Sequence, residues 1–493
     1  MCAGCFGPAQ AEKWTITPSV ETRATWTDNP SFDEKSQAQA DTIFELIPSI
    51  NVRGEGKRFR ISGTVSLDAL AYLQGTRDNR LLPSGDLTAN FEAIERFFFI
   101  EAGIVSGQIA EDVFGPRPNG ASDFNTITTT QYRLVPSFEG RFGPDVEWRL
   151  RSANSLTDVS GDTPSAGWSY LGEHSLRIQH APTPLGWGFE AAHNEIRVES
   201  DLLPEGTTDS ARLRLDYAFS TNFRFGPRVG YETTTLTIDH REQVIYGADF
   251  QWRPTERTDL NGLWEERFFG ASWRFAFTHR MPKVAWNIGL SRELQSFPQE
   301  ILTLPATNNV AGLLDAAFTT RYPDPAERSR VVSEVIARQG LPSSLQSQTT
   351  LFAQQISIVT ARSASIVFLG IRNTVALSAF SSLNEALPNS IFSLIGTATP
   401  DVAQEGASLT ASHQTTPTST INLTSSYIRT RGLKADEGSV SKQTFVKLQL
   451  TVELTPKTNA FAGARYQYFT SNFPGEADVA RERAVFAGVG HRF

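Results

Sequence analysis

A strict two-residue alternation near the C-terminus constrains this chain more than any other feature. In Val446-Lys-Leu-Gln-Leu-Thr-Val-Glu-Leu454, one face holds Val446, Leu448, Leu450, Val452 and Leu454, and the other holds Lys447, Gln449, Thr451 and Glu453. Successive side chains of a strand point to opposite sides of its sheet, so this segment reads as a strand with one oily and one charged face. After the turn Thr455-Pro-Lys-Thr458, Phe461, Gly463, Arg465 and Gln467 interleave with Ala462, Ala464, Tyr466 and Tyr468. In the terminal run, Val485, Ala487, Val489, His491 and Phe493 alternate with Ala484, Phe486, Gly488, Gly490 and Arg492. A single such hairpin suits a soluble sandwich as well as anything else; its recurrence along the chain favours a wall with lipid on one side and water on the other.

The same pattern appears upstream. Val146, Trp148 and Leu150 alternate with Glu147, Arg149 and Arg151; Leu213, Leu215 and Tyr217 with Arg212, Arg214 and Asp216; Trp273, Phe275 and Phe277 with Arg274, Ala276 and Thr278. Strand-like segments of about ten residues are separated by turn signals, in which Pro fixes φ and Gly permits positive φ. Short turns are expected at Gly54–Lys57, Phe142–Asp145, Pro182–Leu185, Ser220–Asn222, Arg253–Glu256, Met281–Lys283, Thr360–Ser363, Thr416–Thr418 and Thr455–Thr458. Longer polar stretches fall between them, at Gln108–Thr128, Leu156–Tyr170, Ser200–Asp209 and Arg429–Lys442. Short turns at one end and long loops at the other are the asymmetry of a membrane barrel. The fold expected is therefore all-β: a transmembrane antiparallel up-and-down barrel of about 22 strands, with 18 as the lower bound. A barrel that wide encloses a lumen. Trp14, Trp187, Trp252, Trp264 and Trp286 at strand ends suit an interfacial aromatic girdle.

Composition agrees where it bears on this. The 493 residues carry 45 Lys and Arg against 53 Asp and Glu, a net charge of −8, so no basic footprint points to nucleic acid. No window holds the eighteen or so apolar residues of a membrane helix, and a barrel needs none because only alternate residues meet lipid. Cys2 and Cys5 are the only cysteines, so the body has no disulfide framework. Ala9-Gln10-Ala11 is an A-x-A cleavage pattern, so residues 1–11 read as the remnant of an export signal and 12–493 as one barrel domain. Cys5 as a lipidation site is the rival reading; both lack the apolar run that should precede them.

One segment departs from strand periodicity. Asp324-Pro325-Ala-Glu327 supplies an N-cap, a first-turn proline and an early acid, with Arg328 following. Val331, Val332, Val335 and Ile336 recur at helical spacing, and Gly340 and Pro342 end the run. A helix over Asp324–Gln339 is expected, inside a long insertion at 297–348 on the extracellular side. It folds either into the lumen as a plug or outside as a cap, and the inward fold is the expectation, since long loops in compact structures tend to be functional.

Candidate chemistry is sparse. The seven histidines (His174, His180, His193, His240, His279, His413, His491) are dispersed, with no H-E-x-x-H, nucleophile elbow or phosphate loop. No catalytic residue, cofactor or metal ligand is assigned. The residues of interest are ionic ones on the expected lumen face: Glu147, Arg149, Arg151, Arg212, Arg214, Asp216, Arg274, Lys447 and Glu453. One reading is a lining that selects anionic solutes or polysaccharide. The other is a ladder of paired charges that props the wall open, and the interleaved signs favour it. Glu265, Glu266 and Arg267, near the hairpin tip Phe268-Phe269-Gly270, are placed to pair with Arg328 of the insert.

A strand ending on an aromatic such as Phe493 resembles the closing strand of bacterial outer-membrane barrels, which implies an assembly signal read by the barrel assembly machinery. More specifically, Trp14-Thr-Ile-Thr-Pro-Ser19, Thr27-Asp28-Asn29, Glu265-Glu-Arg-Phe-Phe-Gly270 with Trp273, and Tyr322-Pro-Asp-Pro325 with Arg328 resemble, in order and spacing, the PEP-CTERM system-associated outer-membrane β-barrel family. That resemblance spans nearly the whole mature chain. It implies integral residence in the outer membrane with its lipid, and a setting beside exopolysaccharide synthesis and export-system proteins. It establishes no biochemical activity. The expected function is a passive conduit or accessory barrel for exopolysaccharide export; the alternatives are a general diffusion porin and a structural barrel that displays surface loops.

Overall fold

A computed structural model describes residues 13–117, 124–160, 167–199, 205–296, 310–319, 321–339, 356–392 and 401–493. The cleavage pattern at Ala9–Ala11 and both cysteines lie outside the described residues. The described chain forms one 22-stranded sheet in which each strand pairs antiparallel with its sequence neighbours. β1 (Lys13–Thr27) pairs on one side with β2 (Asp41–Glu55) and on the other with β22 (Val479–Arg492), in the register Ser19↔Arg492 through Thr27↔Ala484. That last ladder closes the barrel and leaves no open edge. Closure is obligatory in hydrocarbon, where each unpaired backbone group costs several kcal/mol.

Strands are 10 to 17 residues long, as in β13 (Thr258–Arg267) and β6 (Thr126–Phe142). Alternation sorts their side chains as the sequence predicts. Outward rows are apolar and open to the surroundings, for example Leu213 (57% exposed) and Leu215 (56%) on β10 (Gly206–Ser220), whereas Asp216 between Leu215 and Tyr217 is 1% exposed on the inner face. The predicted tryptophans all face outward. Trp14, Trp187, Trp252 and Trp286 lie toward the short-turn end, and Trp264 lies toward the other. Phe493 follows β22, its N–H donating to the Pro18 carbonyl at 3.0 Å.

The ten connections from that between β2 and β3 (Phe59–Tyr72, followed by β4, Arg80–Ile94) to that between β20 (Val440–Thr455) and β21 (Thr458–Ser471) are turns of two to four residues at one end. Two expectations need correction. Thr360–Ser363 is no turn: β16 (Ile356–Leu369) runs straight through it, with Ala361 opposite Ser291, and the turn is Gly370–Arg372. Its Ala and Ser residues are small because they line an inner wall, which composition alone does not distinguish from a turn. Ladders also overrun the expected loops. β7 (Val146–Ser160) and β8 (Gly167–His180) shorten the stretch Leu156–Tyr170, β10 begins at Gly206, and β19 (Ser419–Gly432) and β20 (Val440–Thr455) leave only 433–439 of Arg429–Lys442. Polarity there marks strands that have left the apolar belt; neighbouring strands still satisfy their backbone groups.

Candidate functional site: an ionised lumen with a helical insert

The inner wall is lined by charge held in cross-strand pairs. On β6 and β7, Arg141 meets Glu147 at 2.7 Å and Arg149 meets Glu139 at 2.5 Å. On β10, Arg214 lies 2.7 Å from Asp216, and Arg212 lies 3.3 Å from Glu265 of β13. Arg228 of β11 (Phe223–Thr234) bridges Asp249 at 2.6 Å and Glu265 at 3.0 Å, and Arg267 holds Glu232 at 2.7 Å. Arg274 reaches Glu293 at 2.5 Å. Of the predicted lining residues, Arg151, Lys447 and Glu453 make no ion pair among the described residues; Lys447 instead lies 5.0 Å from the Phe486 ring centre. Paired charge is thus the rule for six of the nine, as the interleaved signs suggested.

Sequence reasoning missed the most buried pair. Arg465 of β21 (Thr458–Ser471) and Glu482 of β22 meet at 2.6 Å with side chains 4% and 0% exposed, and Thr27 donates to Glu482 at 2.7 Å. Nearby, Arg23 bridges Glu45 at 3.1 Å and Glu21 at 2.6 Å. The ion pairs lie within or between sequence-adjacent strands, and the Thr27–Glu482 hydrogen bond joins the two groups across the closing seam of β1 and β22. Between the charged arcs, β16 to β19 present a neutral, hydroxyl-rich inner face, on which Ser378 and Ser408 share a hydrogen bond at 2.7 Å. Among the described residues no cluster of His, Cys, Asp and Glu is arranged to hold a metal.

The insert enters the lumen. Two helices are described, α1 (Val310–Phe318), which the sequence reading did not anticipate, and α2 (Pro325–Gln339), which it placed within a residue. Asp324 caps α2: its carbonyl accepts the Arg328 N–H at 2.9 Å and its carboxylate the Glu327 N–H at 3.4 Å. Val310, Leu314 and Ala317 of α1, with Val332 of α2, pack on Ala285, Val367 and Ala376. These three wall residues lie on the inner rows of β15 (Val284–Ser296), β16 and β17 (Asn373–Ala386), close to the short-turn end. This apolar patch near the short-turn end of the inner wall is a seat for the helix. Asp315 and Thr319 face Arg253, Asp259 and Arg280 across a cavity of about 720 Å³.

The expected pairing of the insert with the Glu265 hairpin does not form. Arg328 donates to Asp315 at 2.7 Å and to the Tyr322 carbonyl at 3.0 Å, so it ties α1 to α2. Glu265 is an inner residue two positions below the tip, already engaged by Arg212 and Arg228. Glu266 falls on the opposite face, and Arg267 is taken by Glu232.

A second segment reaches inward from the long-loop end, again unforeseen. Following β5 (Phe98–Ala110), the Arg117 N–H donates to Gln443 Oε1 at 2.8 Å, and the Arg117 carbonyl accepts from Gln443 and Gln467, both at 2.9 Å. Gln467 is fully buried on the inner face. Phe114 stacks on Phe473 at 4.5 Å, and Asn125 folds the segment by donating to the Asp112 and Pro116 carbonyls. Burial lowers the Arg117 guanidinium to about 9. Burial and the nearby Asp112 raise the Glu476 carboxyl to about 7.

No family model and no curated protein matches the chain. Among solved structures it is similar to the siderophore receptor PirA from Pseudomonas aeruginosa, at 7% identity over 97% of this chain and 80% of that one, TM-score 0.44. It is similar to the ferric-catecholate import receptor Fiu from E. coli K12 at 8% identity, over 96% and 81%, TM-score 0.49. It is also similar to OccAB1 from Acinetobacter baumannii at 9% identity, over 97% of each chain, TM-score 0.34. The closed antiparallel wall, its oily exterior and its ionised interior make this a large β-barrel of the outer-membrane type.

Proposed function

We propose that this protein resides in the bacterial outer membrane, short turns toward the periplasm, as a passive conduit for hydrophilic solutes. Exopolysaccharide in a PEP-CTERM setting is the solute class that its family resemblance suggests. The observation that carries the reading is the seated insert: α1 lies on the Ala285, Val367 and Ala376 patch inside a lumen lined elsewhere by paired charges and hydroxyls. A purely structural barrel has no use for a polar lumen combined with an apolar seat for an inward-folded segment. In the conduit, polar walls replace part of the hydration of a passing solute, and the insert limits leakage.

The decisive experiment compares single-channel conductance of the refolded parent with a variant in which 298–354 is replaced by a short turn. Ser296 and Ile356 are ladder partners, so the shortened connection closes without disturbing the wall. Large, steady openings in the variant and rare ones in the parent are expected. Silence from both, with a folded heat-resistant barrel, refutes the conduit. Equal open conductance in both refutes the role of the insert and leaves a plain diffusion porin. Loss of surface polysaccharide on deleting the gene tests the solute class.

A further inference from the structure

Charge along the barrel axis is polarised. The ten short turns, all described, carry Lys57, Arg58, Arg96, Arg257, Lys283, Arg372 and Lys457 against Glu95, Asp145 and Glu256. The inner wall just above them continues the trend. A cavity of about 710 Å³ is lined by Arg96, Arg141, Arg149 and Arg177 against Glu139 and Glu147, and one of about 440 Å³ by Lys57, Arg58, Arg60, Arg149 and Arg151 against Glu92, Glu101 and Glu139. The cavity beneath α1 is balanced, with Arg253, Arg257 and Arg280 against Glu256, Asp259 and Asp315. Several of these cations are neutralised, as in Arg149–Glu139 and Arg253–Asp259, but Arg60, Arg151, Arg177 and Arg257 make no ion pair among the described residues. At the long-loop end the sign reverses. Apart from the insert, carboxylates outnumber cations in every described connection that bears charge except the β3–β4 loop, where Arg77 and Asp78 balance. Asp112 and Glu476 stand together beside the 111–117 segment.

We propose that the short-turn mouth is a binding vestibule for a carboxylate-bearing glycan. The four unpaired cations sit apart around the mouth, on β3, β7, β8 and the turn at 256–257, instead of converging on one point. That spacing suits a chain with repeating negative charges better than a single small anion. A cationic mouth concentrates the polyanion at the periplasmic side, and the acidic far end disfavours its re-entry. This specificity rests on the conduit reading above and extends it to a substrate charge and a direction.

The test is binding of oligogalacturonate, with neutral dextran oligomers as control, to the detergent-solubilised full-length barrel by fluorescence anisotropy at low and high salt. The variant R60Q/R151Q/R177Q/R257Q removes the four cations without breaking any ion pair, and heat-modifiable gel migration checks that it folds. Oligogalacturonate should bind in preference to dextran, weaken with salt, and lose roughly tenfold or more in affinity in the variant. Equal affinity for both probes, or no loss in a folded variant, overturns the vestibule. In bilayers, oligogalacturonate should block the insert-deleted barrel at lower concentration from the short-turn side, and equal block from both sides overturns the polarity. Because binding is read without current, a barrel that binds but never conducts refutes the conduit alone, and one that conducts without binding refutes the vestibule alone.

Discussion

Replacing Leu314 with alanine tests the seat of the insert directly. Leu314 is 0% exposed, packed at the centre of the cluster formed by α1, Val332 of α2 and wall residues Ala285, Val367 and Ala376. Truncating a buried leucine costs about 2–5 kcal/mol, and about 3 is a fair value for a contact beside a hydrated lumen. Since every 1.4 kcal/mol is a tenfold change in an equilibrium, the ratio of seated to unseated insert should fall on the order of 100-fold. A parent seated about 1,000 to 1 would become about 10 to 1, a change from rare to frequent openings. Single-channel open probability at low voltage reads this. Barrel melting should change little, because the 22-strand ladder does not depend on the contact. Arg330→Gln is the matched control: its pair with Glu334, at 3.7 Å on an exposed helix face, contributes little. Open probability unchanged in Leu314→Ala and no different from the Arg330 control would refute the seat as the closing contact.

Other consequences follow from the same geometry. Glu482→Gln leaves Arg465 buried without its carboxylate and should destabilise the barrel by about 3–5 kcal/mol, seen as a lower unfolding temperature on heat-modifiable gels; R465M/E482L should recover much of the loss. Arg328→Glu should loosen the helix pair and be rescued by Asp315→Arg, whereas combining it with Glu265→Gln should be additive; coupling between Glu265 and Arg328 would contradict the observed pairing. Because the folded-state carboxyl of Glu476 is raised to about 7, its contribution favours the folded loop below its unfolded pKa and is lost as pH rises through 7. Protection of 111–117 relative to intrinsic hydrogen exchange at each pH should therefore fall between pH 5 and 8, and Glu476→Gln should flatten that dependence.

How much of this was legible in the chain depends on the range of the interaction. Strand identity and facing were readable because a period of two is a local property: Leu448 and Lys447 must point opposite ways whatever their partners are. The α2 helix was readable for the same reason, since Asp324, Pro325 and the spacing of Val332, Val335 and Ile336 act within a few turns. The Thr360–Ser363 error shows the limit of local reading, because small polar residues serve a turn and a lumen wall alike.

Partner choice was not legible. Arg465 finds Glu482 through the register of the β21–β22 hairpin, and Thr27 joins them across 455 residues only because β1 and β22 close the sheet. Arg328 lay within reach of either Asp315 or, by sequence order, the Glu265 hairpin; which one it meets depends on where the insert descends. The inward course of 111–117 and the seat for α1 likewise rest on Gln443, Gln467, Ala285 and Val367, none of which is unusual in its own segment. Alternation and turn chemistry, encoded residue by residue, specify a two-faced wall of about 22 strands with a charged interior. Which charges neutralise each other, which remain open at the short-turn mouth, and what fills the lumen follow from strand register, barrel curvature and the path of the insert, because these set which side chains come within reach of one another.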